Sequence, residues 1–281
     1  MLKREEIRIR DPFVLVDEKN QQYYLYGTTG LTDGYNTVNY FVTYKSADLE
    51  NFSDPIVVFN GENFWSDRDY WAPEVFFYND KYYMFASFKS ATRSRGTQIL
   101  RADSPEGPFL PISDGPITPE GWECLDGTLY VEDGKPYIFF CREWLEVTNG
   151  QMYAMELSPD LTKAVGEPVY LFSASDNPYV TSFKNWRGKD CYVTDGPFLF
   201  REKGKLVMLW SSTHNEVYCV LKAYADSPFG EWKHEDRPVF SVDGGHCMIF
   251  TALDNRQMLA LHYPNECPKE RAIFLECNMG K

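Results

Sequence analysis

Residues 11–29 read DPFVLVDEKNQQYYLYGTT: a short apolar run, a polar turn and a second, aromatic-rich run. The pattern recurs four more times, as APEVFFYNDKYYMFASF (72–88), DGTLYVEDGKPYIFFCRE (126–143), DGPFLFREKGKLVMLWSS (195–212) and GGHCMIFTALDNRQMLALHY (244–263). Short β-branched and aromatic runs separated by turn residues are typical of strand–turn–strand units. Each copy therefore predicts one β-hairpin.

A second element lies between the copies and predicts a third and a fourth strand after each hairpin. It reads TYKSADLENFSDP (43–55), ILRADSPEGPFLP (99–111), AMELSPDLTKAVGEP (154–168) and LKAYADSPFGEWKH (221–234). Five units of four antiparallel strands make a five-bladed β-propeller, here a single domain over residues 1–281. A β-sandwich also has many short strands, but it does not require one motif to recur in phase. We expect EEIRIR (5–10) to close the circle beside RAIFLECNM (271–279).

Charge and composition exclude several classes of function. The 41 acidic residues outnumber the 28 basic ones, so the net charge of −13 argues against binding to nucleic acids or anionic membranes. The N-terminus, MLKREEIRIRDPF, lacks the apolar stretch of a signal peptide. We therefore expect a cytoplasmic location, or a periplasmic or secreted one if a signal was removed. The seven cysteines are odd in number and form no CxxC pair, which predicts reduced, buried thiols.

Three of the repeated units carry an aspartate at the start of the first strand: Asp11, Asp126 and Asp195. The first strand of a propeller blade lies innermost, so these carboxyl groups should converge at one end of the central channel. Like charges repel in a partly desolvated site unless one group is protonated. Glycoside hydrolysis requires such an unequal pair, a carboxylic acid and a carboxylate. The pattern therefore favours a glycosidase.

The stretches RDPFVL, YWAPEVFFYNDKYYMF, DGTLYVEDGKPYI, TDGPFLF and GGHCMIF, in this order, resemble family 43 of the glycoside hydrolases. That family consists of five-bladed propellers acting on arabinofuranosides, xylosides and related plant-wall sugars. The resemblance implies that Asp11 is the general base and that Asp126 orients the reaction centre and raises the pKa of the acid. Asp195 matches the general acid, usually the glutamate of a Glu-Gly-Pro motif. His246 matches a histidine beside a central water or calcium ion, held largely by waters.

The second strand of each hairpin should return to the active face, so its last residues are candidates for substrate contacts. Thr28, Ser212 to His214, His262 and Tyr263 lie at such ends. Together with two residues near the start of the second unit, the predicted substrate contacts are Trp71, Glu74, Phe88, Arg142, Glu143, Trp144 and His214. Glu143 is in addition an alternative to Asp195 as the acid.

These observations predict an inverting exo-glycosidase that needs no cofactor. An α-L-arabinofuranoside is the first expectation for its carbohydrate substrate, followed by a β-xyloside or a β-galactofuranoside. Two alternatives remain. One is a sugar-binding propeller whose catalysis is impaired by the aspartate at position 195. The other is a glycoside phosphorylase, which would need a basic phosphate-binding cluster, for which Arg142 and scattered lysines are the available residues.

Overall fold

The computed structural model describes residues 1–32, 35, 36 and 38–280, and antiparallel strands dominate it. Five small sheets follow one another along the chain, and their inner strands contact one another in a closed circle. The predicted five-bladed β-propeller is confirmed.

The strands of each blade run from the channel outward. The first blade contains Arg10–Asp17, Gln22–Thr28, Tyr40–Ser46 and the short strands Leu2–Lys3, Asn51–Phe52 and Ile56–Asn60. The second contains Arg68–Tyr78, Lys81–Lys89, Gly96–Ala102 and Leu110–Pro111. The third contains Cys124–Glu132, Lys135–Arg142, Gln151–Leu157 and Ala164–Ser173. The fourth contains Asp195–Glu202, Lys205–His214, Val217–Ala225 and Lys233–His234. The fifth contains Gly245–Thr251, Gln257–Tyr263 and Arg271–Glu276.

The remaining elements are short. Two two-stranded ribbons are formed by Leu31–Thr32 with Tyr35–Asn36 and by Phe183–Lys184 with Asp190–Cys191. One α-helical turn, Trp144–Val147, and two 3-10 turns, Arg4–Glu6 and Ala174–Asp176, complete the structure. Within the described ranges, every helix is too short to cross a bilayer.

The N-terminal segment closes the circle less extensively than predicted. Arg8 forms a single antiparallel bridge with Arg271, and the Ile9 N–H donates to the Glu270 carbonyl at 3.4 Å. The chain then enters the inner strand of the first blade at Arg10, so only one residue pairs with the outer edge of the fifth blade. That blade accordingly has three strands and one bridge instead of four strands.

The apolar core lies between neighbouring blades. Between the first two blades, the Phe88 ring is packed edge-on against the rings of Phe64 and Tyr70, with distances between ring centroids of 4.9 Å and 5.2 Å. Trp210 and Phe139, both fully buried, belong to the cluster between the third and fourth blades. This packing fixes the blades around the channel and so positions the groups at its mouth.

Candidate active site

Each inner strand begins with a β-bulge, where one residue has a left-handed backbone conformation. The five bulge residues are Asp11 (φ 50°), Ala72 (45°), Asp126 (55°), Gly196 (50°) and His246 (51°). Asp11, Asp126 and His246 therefore occupy equivalent positions in their blades. A bulge re-aims a side chain, and here it gives these three groups a common placement at the channel mouth.

Asp195 differs from the predicted register by one residue. The bulge residue of the fourth blade is Gly196, and Asp195 precedes it, in line with Arg10 and Trp71 of the first two blades. A Cβ at position 196 would lie 2.7 Å from the ring of His246, so only glycine fits there. The aspartate of this blade is therefore displaced to the position before the bulge.

A cavity of about 290 Å³ lies at this end of the channel. Of the predicted site residues, it is lined by Asp11, Asp126, Asp195, His246, Trp71, Glu143 and Trp144. The structure thus brings together the three aspartates, the histidine and three of the seven predicted substrate contacts.

Asp11 is surrounded by groups that favour its ionised form. Thr28 Oγ1 donates to Asp11 Oδ2 at 2.6 Å, and His246 Nδ1 lies 3.3 Å from Oδ1. Burial alone would raise the pKa of Asp11, but His246, Arg10 and the hydrogen bond from Thr28 outweigh it, so the pKa is lowered. Asp11 is consequently a carboxylate over the physiological pH range.

Asp126 and Asp195 have the opposite tendency. Burial, followed by the charge of Asp11, raises the pKa of Asp126 to about 8. Burial, followed by the charge of Asp126, raises the pKa of Asp195 to about 7. Tyr218 donates its hydroxyl to Asp195 Oδ2 at 3.0 Å, whereas Oδ1 has no hydrogen-bond partner among the described residues and can carry a proton. The site therefore holds one ionised carboxylate and two that take up protons near neutrality.

His246 links the first two aspartates. Its Nδ1 lies 3.3 Å from Asp11 Oδ1 and 3.7 Å from Asp126 Oδ2, so these two oxygens are at most about 7 Å apart. Its Nε2 is buried and has no hydrogen-bond partner in the part of the chain that the structure describes.

The calcium ion that the family resemblance implies would have to be held largely by waters at this position. Calcium takes six to eight oxygen ligands, and His246 presents a nitrogen. Among the described residues, no group of three or more His, Cys, Asp or Glu side chains could hold a metal ion. The chemistry derived for the site uses no metal ion.

Glu143 lies in the cavity but is ion-paired. Its Oε2 contacts Nη1 of Arg95, and Nη2 of the same guanidinium lies 2.7 Å from Asp69 Oδ2. The Arg95 guanidinium also covers the Trp71 ring at 4.3 Å from its centroid. Burial raises the pKa of Glu143 to about 7, against the opposing effect of Arg95. Arg95 thus connects two predicted substrate contacts.

The structure does not bring four of the predicted substrate contacts into the cavity. Phe88 is fully buried in the core because its neighbour Ser87, and not Phe88, faces the channel. Arg142 pairs with Glu146 and covers Trp122, and His214 is stacked on Tyr179 at 4.1 Å. Glu74 is buried beside Thr128, and its burial raises its pKa well above the ordinary value.

Several cavity residues carry no marker in the sequence pattern. Tyr218 lies in the third strand of its blade, outside the repeated hairpins, and no spacing singles it out. Glu270, which pairs with Arg10, also lies outside the hairpins. Arg10 itself directly precedes Asp11 in the inner strand, so the alignment of the five units could have identified it.

Hydrogen bonds from the backbone fasten four of the five bulges to the second strand of the preceding blade. The backbone N–H groups of Ala72, Asp126, His246 and Asp11 donate to side chains at the ends of second strands, namely Thr28, Ser87, Ser211 and His262. We call these four contacts the bulge latches. His262 can accept because its Nδ1 is unprotonated: burial, followed by Arg10, lowers its pKa to about 3.

The bulge at Gly196 has no such latch. In the preceding third blade, Cys141, opposite Leu125, occupies the position that Thr28, Ser87, Ser211 and His262 hold in the other blades. The N–H of Gly196 donates instead to Asp126 Oδ2 at 3.0 Å. A hydrogen bond to a carboxylate stabilises its charged form. Because Cys141 does not accept the Gly196 N–H, this donor is available to Asp126. It orients the Asp126 carboxylate and limits the rise of its pKa.

Cys141→Ser is expected to restore the fifth latch and thereby withdraw the Gly196 N–H from Asp126. The pKa of Asp126 should rise further, and kcat should fall about 10-fold, the scale of one lost hydrogen bond to a charged group. Because a protonated Asp126 no longer raises the pKa of Asp195, the alkaline limb of the pH–kcat profile should move to lower pH. Cys141→Ala, which adds no acceptor, is the matched control and should leave that limb in place. Equal profiles for the two variants would contradict this role.

Comparison with known proteins gives a consistent result. The sequence matches the family described as Glycosyl hydrolases family 43 over residues 6–277. None of the curated proteins compared with the chain matches it. The structure is similar to that of an endo-arabinase from Bacteroides thetaiotaomicron VPI-5482, with 40% identity over 99% of this chain and 97% of the other and a TM-score of 0.92.

Two further structures extend this similarity. A thermostable family-43 glycoside hydrolase is 25% identical over 97% of this chain and 94% of the other, with a TM-score of 0.79. An endo-1,4-β-xylanase from the same Bacteroides strain is 23% identical over 96% and 90%, with a TM-score of 0.76, and shows likeness of fold alone.

Proposed function

The chain belongs to family 43 of the glycosyl hydrolases, and on that premise we propose that it hydrolyses α-L-arabinofuranosyl linkages with inversion at the anomeric carbon. The observation that carries the proposal is the contrast between the three aspartates. Asp11 has a lowered pKa, whereas the pKa of Asp195 is raised to about 7. A glycosidase needs such a difference between its base and its acid.

In the proposed reaction, ionised Asp11 accepts a proton from a water molecule that attacks the anomeric carbon. Protonated Asp195 donates its proton to the departing glycosidic oxygen, and the bond from that oxygen to the anomeric carbon breaks. Burial is the main cause of the raised pKa of Asp195, and the negative charge of Asp126 raises it further whenever Asp126 is ionised. Tyr218 holds Asp195 by its Oδ2 oxygen. The two products are a sugar of inverted configuration and a free hydroxyl group.

Two observations support the substrate and the position of cleavage. The cavity, about 290 Å³, is at the small end of the roughly 300–1,000 Å³ of ligand pockets, which fits a terminal sugar better than a long chain. We therefore propose exo-action. The similarity to an endo-arabinase supports arabinan as the polymer and favours internal cleavage as a second candidate.

The environment of Arg10, which lines the cavity, and of Arg95, which pairs with the cavity residue Glu143, supports hydrolysis over phosphorolysis. Arg10 lies 3.5 Å from Glu270, and Arg95 is paired with both Glu143 and Asp69. Both guanidinium groups are thus already paired with carboxylates. A phosphate co-substrate would have to displace these carboxylates, whereas water would not.

The test is hydrolysis of linear arabinan and of aryl α-L-arabinofuranosides, β-D-xylosides and β-D-galactofuranosides. We expect turnover of the arabinofuranosides, independent of added phosphate, with the β-anomer of arabinose appearing first in proton NMR spectra. Arabinose as the sole early product from arabinan supports exo-action, whereas a series of oligosaccharides supports the second candidate. An α-anomer as first product, or sugar binding without any turnover, would overturn the proposed function.

A further inference from the structure

An exposed tryptophan lies beside the catalytic cavity without being part of it. Trp186 is 72% exposed, the most exposed of the described aromatic side chains. Its ring centroid is 6.4 Å from that of Trp144, which lines the cavity. Phe183 contacts Trp144 edge-on at 5.0 Å. The aromatic surface thus continues from the cavity onto the ribbon Phe183–Cys191.

The turn that carries Trp186 is well organised by hydrogen bonds. Asn185 Oδ1 accepts from the backbone N–H groups of Arg187 at 2.9 Å and Lys189 at 3.1 Å, and the Asn185 carbonyl accepts from Gly188 at 2.8 Å. Asn185 thereby bonds to three residues of its own turn. The backbone holds the tryptophan in water although burial of such a large apolar side chain would be favourable.

The position of the ribbon indicates which part of a substrate could reach it. The ribbon ends at Cys191, four residues before Asp195. The next residue, Tyr192, pairs with Asn149, which follows the helical turn Trp144–Val147 by two residues. Trp144, whose ring lies beside that of Trp186, lines the same cavity as Asp195, so a chain attached to the oxygen that Asp195 protonates could reach Trp186 by way of Trp144. A sugar chain leaving in that direction would pass over Trp144 and then Trp186.

The acidic residues of the cavity and the net charge of the chain favour a neutral ligand, although the Arg187 guanidinium lies 5.7 Å from the centroid of the Trp186 ring. The cavity contains Asp11, Asp126, Asp195 and Glu143, and the whole chain carries a charge of −13, so an acidic polysaccharide would be repelled. Aromatic rings offer the apolar faces of neutral sugars a stacking surface.

We propose that Trp186 forms an outer binding site for a sugar unit on the leaving-group side of the scissile bond. The ligand is a neutral oligosaccharide or polysaccharide, whose chain extends out of the cavity over Trp144. This site rests on the proposed glycosidase function and on Asp195 being the acid, and it deepens both by naming a specificity-determining residue. It makes the enzyme prefer chains to small aryl glycosides.

The experiment compares wild type, Trp186→Ala and Trp186→Phe on an arabino-oligosaccharide of at least four units and on an aryl arabinofuranoside. For Trp186→Ala on the oligosaccharide, we expect KM to rise about 3- to 10-fold with little change in kcat, as expected for the loss of one stacking contact made equally in ground and transition states. Trp186→Phe should recover part of the loss. Hydrolysis of the aryl glycoside, which is too short to reach Trp186, should be unchanged for both variants.

Phe77→Ala is the matched control. Phe77 is also an exposed aromatic residue, at 57%, but it lies near the end of the inner strand Arg68–Tyr78 that is remote from the cavity residue Trp71. It should match wild type on both substrates. Unchanged KM for the oligosaccharide in Trp186→Ala would overturn the outer site while leaving the proposed function intact. Absence of turnover on both substrates by the wild-type enzyme would instead overturn the proposed function.

Discussion

Replacement of Asp11 by Asn is expected to lower kcat by about 10²- to 10⁴-fold on every glycoside that the wild-type enzyme cleaves, the range for loss of a general base. The amide keeps the shape of the carboxylate, and its oxygen can still accept the hydrogen bond from Thr28. It lacks the charge that takes a proton from the attacking water. Asparagine also tolerates the left-handed conformation of position 11, so the bulge should remain.

The measurement pairs steady-state kinetics with calorimetric titration of an unreactive sugar ligand, whose affinity should change little. Asp17→Asn is the control, because Asp17 ends the same inner strand and its carboxylate bonds only to Asn20 among the described residues. It should retain near wild-type turnover. A loss of only a few fold in Asp11→Asn would show that Asp11 serves as a turn residue.

The fold could be predicted from the sequence because its signal is repeated. Five hairpins in phase, each with its own turn, restrict the architecture far more than one amphipathic stretch could. The fifth blade was predicted less well, because a blade edge completed by a single residue, Arg8, has no periodicity to reveal it. The closing segment was nevertheless identified correctly.

The convergence of Asp11 and Asp126 was predictable for the same reason, since equivalent positions in different blades face one channel. The register of Asp195 was not, because alignment on the Asp-Gly pairs placed Asp195 opposite Asp126. Only the bulge conformation shows that Gly196 is the equivalent residue. The steric conflict with His246, which makes glycine necessary there, depends on contacts between two blades and leaves no trace in either segment alone.

The substrate contacts were the least predictable part. Successive side chains of a strand point to opposite faces, so the end of a second strand offers one residue to the channel and the next to the core. In the second blade the channel residue is Ser87, which accepts from Asp126, and Phe88 enters the core. The position of a strand end does not tell which of its last residues faces the channel. The latch residue of each blade does face it, and identifying that residue would have shown which neighbours enter the core.

The identity of the general acid depends on two candidate carboxyl groups whose partners differ. Burial raises the pKa of both Asp195 and Glu143 to about 7, so the pKa does not distinguish them. Asp195 is bonded to the neutral hydroxyl of Tyr218, which permits protonation of its other oxygen. Glu143 contacts the Arg95 guanidinium, and this cation stabilises the ionised form. Asp195 is therefore the better proton donor, although its side chain is one methylene shorter than glutamate.

Asp195→Ala is expected to reduce kcat/KM about 10²- to 10³-fold on arabinan and on aryl glycosides with poor leaving groups, since protonation of the departing oxygen is lost. Dinitrophenyl arabinofuranoside needs little protonation, so its hydrolysis should fall only a few fold. Glu143→Gln, the matched comparison, leaves Arg95 without one of its carboxylate partners. The kcat/KM of Glu143→Gln should fall by a similar factor on substrates with poor and with good leaving groups. The variant disturbs substrate binding and local packing, and neither effect depends on the leaving group.

The pH dependence provides an independent check on the same assignment. The acid must be protonated, so turnover of poor leaving groups should decline as the pH rises through about 7, the pKa of Asp195. Asp11, with its lowered pKa, remains ionised throughout this range and contributes no alkaline limb. Asp195→Ala should lose the limb, whereas Glu143→Gln should keep it. The reverse pattern, with the limb and the leaving-group dependence both lost in Glu143→Gln and retained in Asp195→Ala, would assign the acid to Glu143. Arg95 would then have to release Glu143 during the reaction, since a carboxyl held by a guanidinium cannot donate a proton to the glycosidic oxygen.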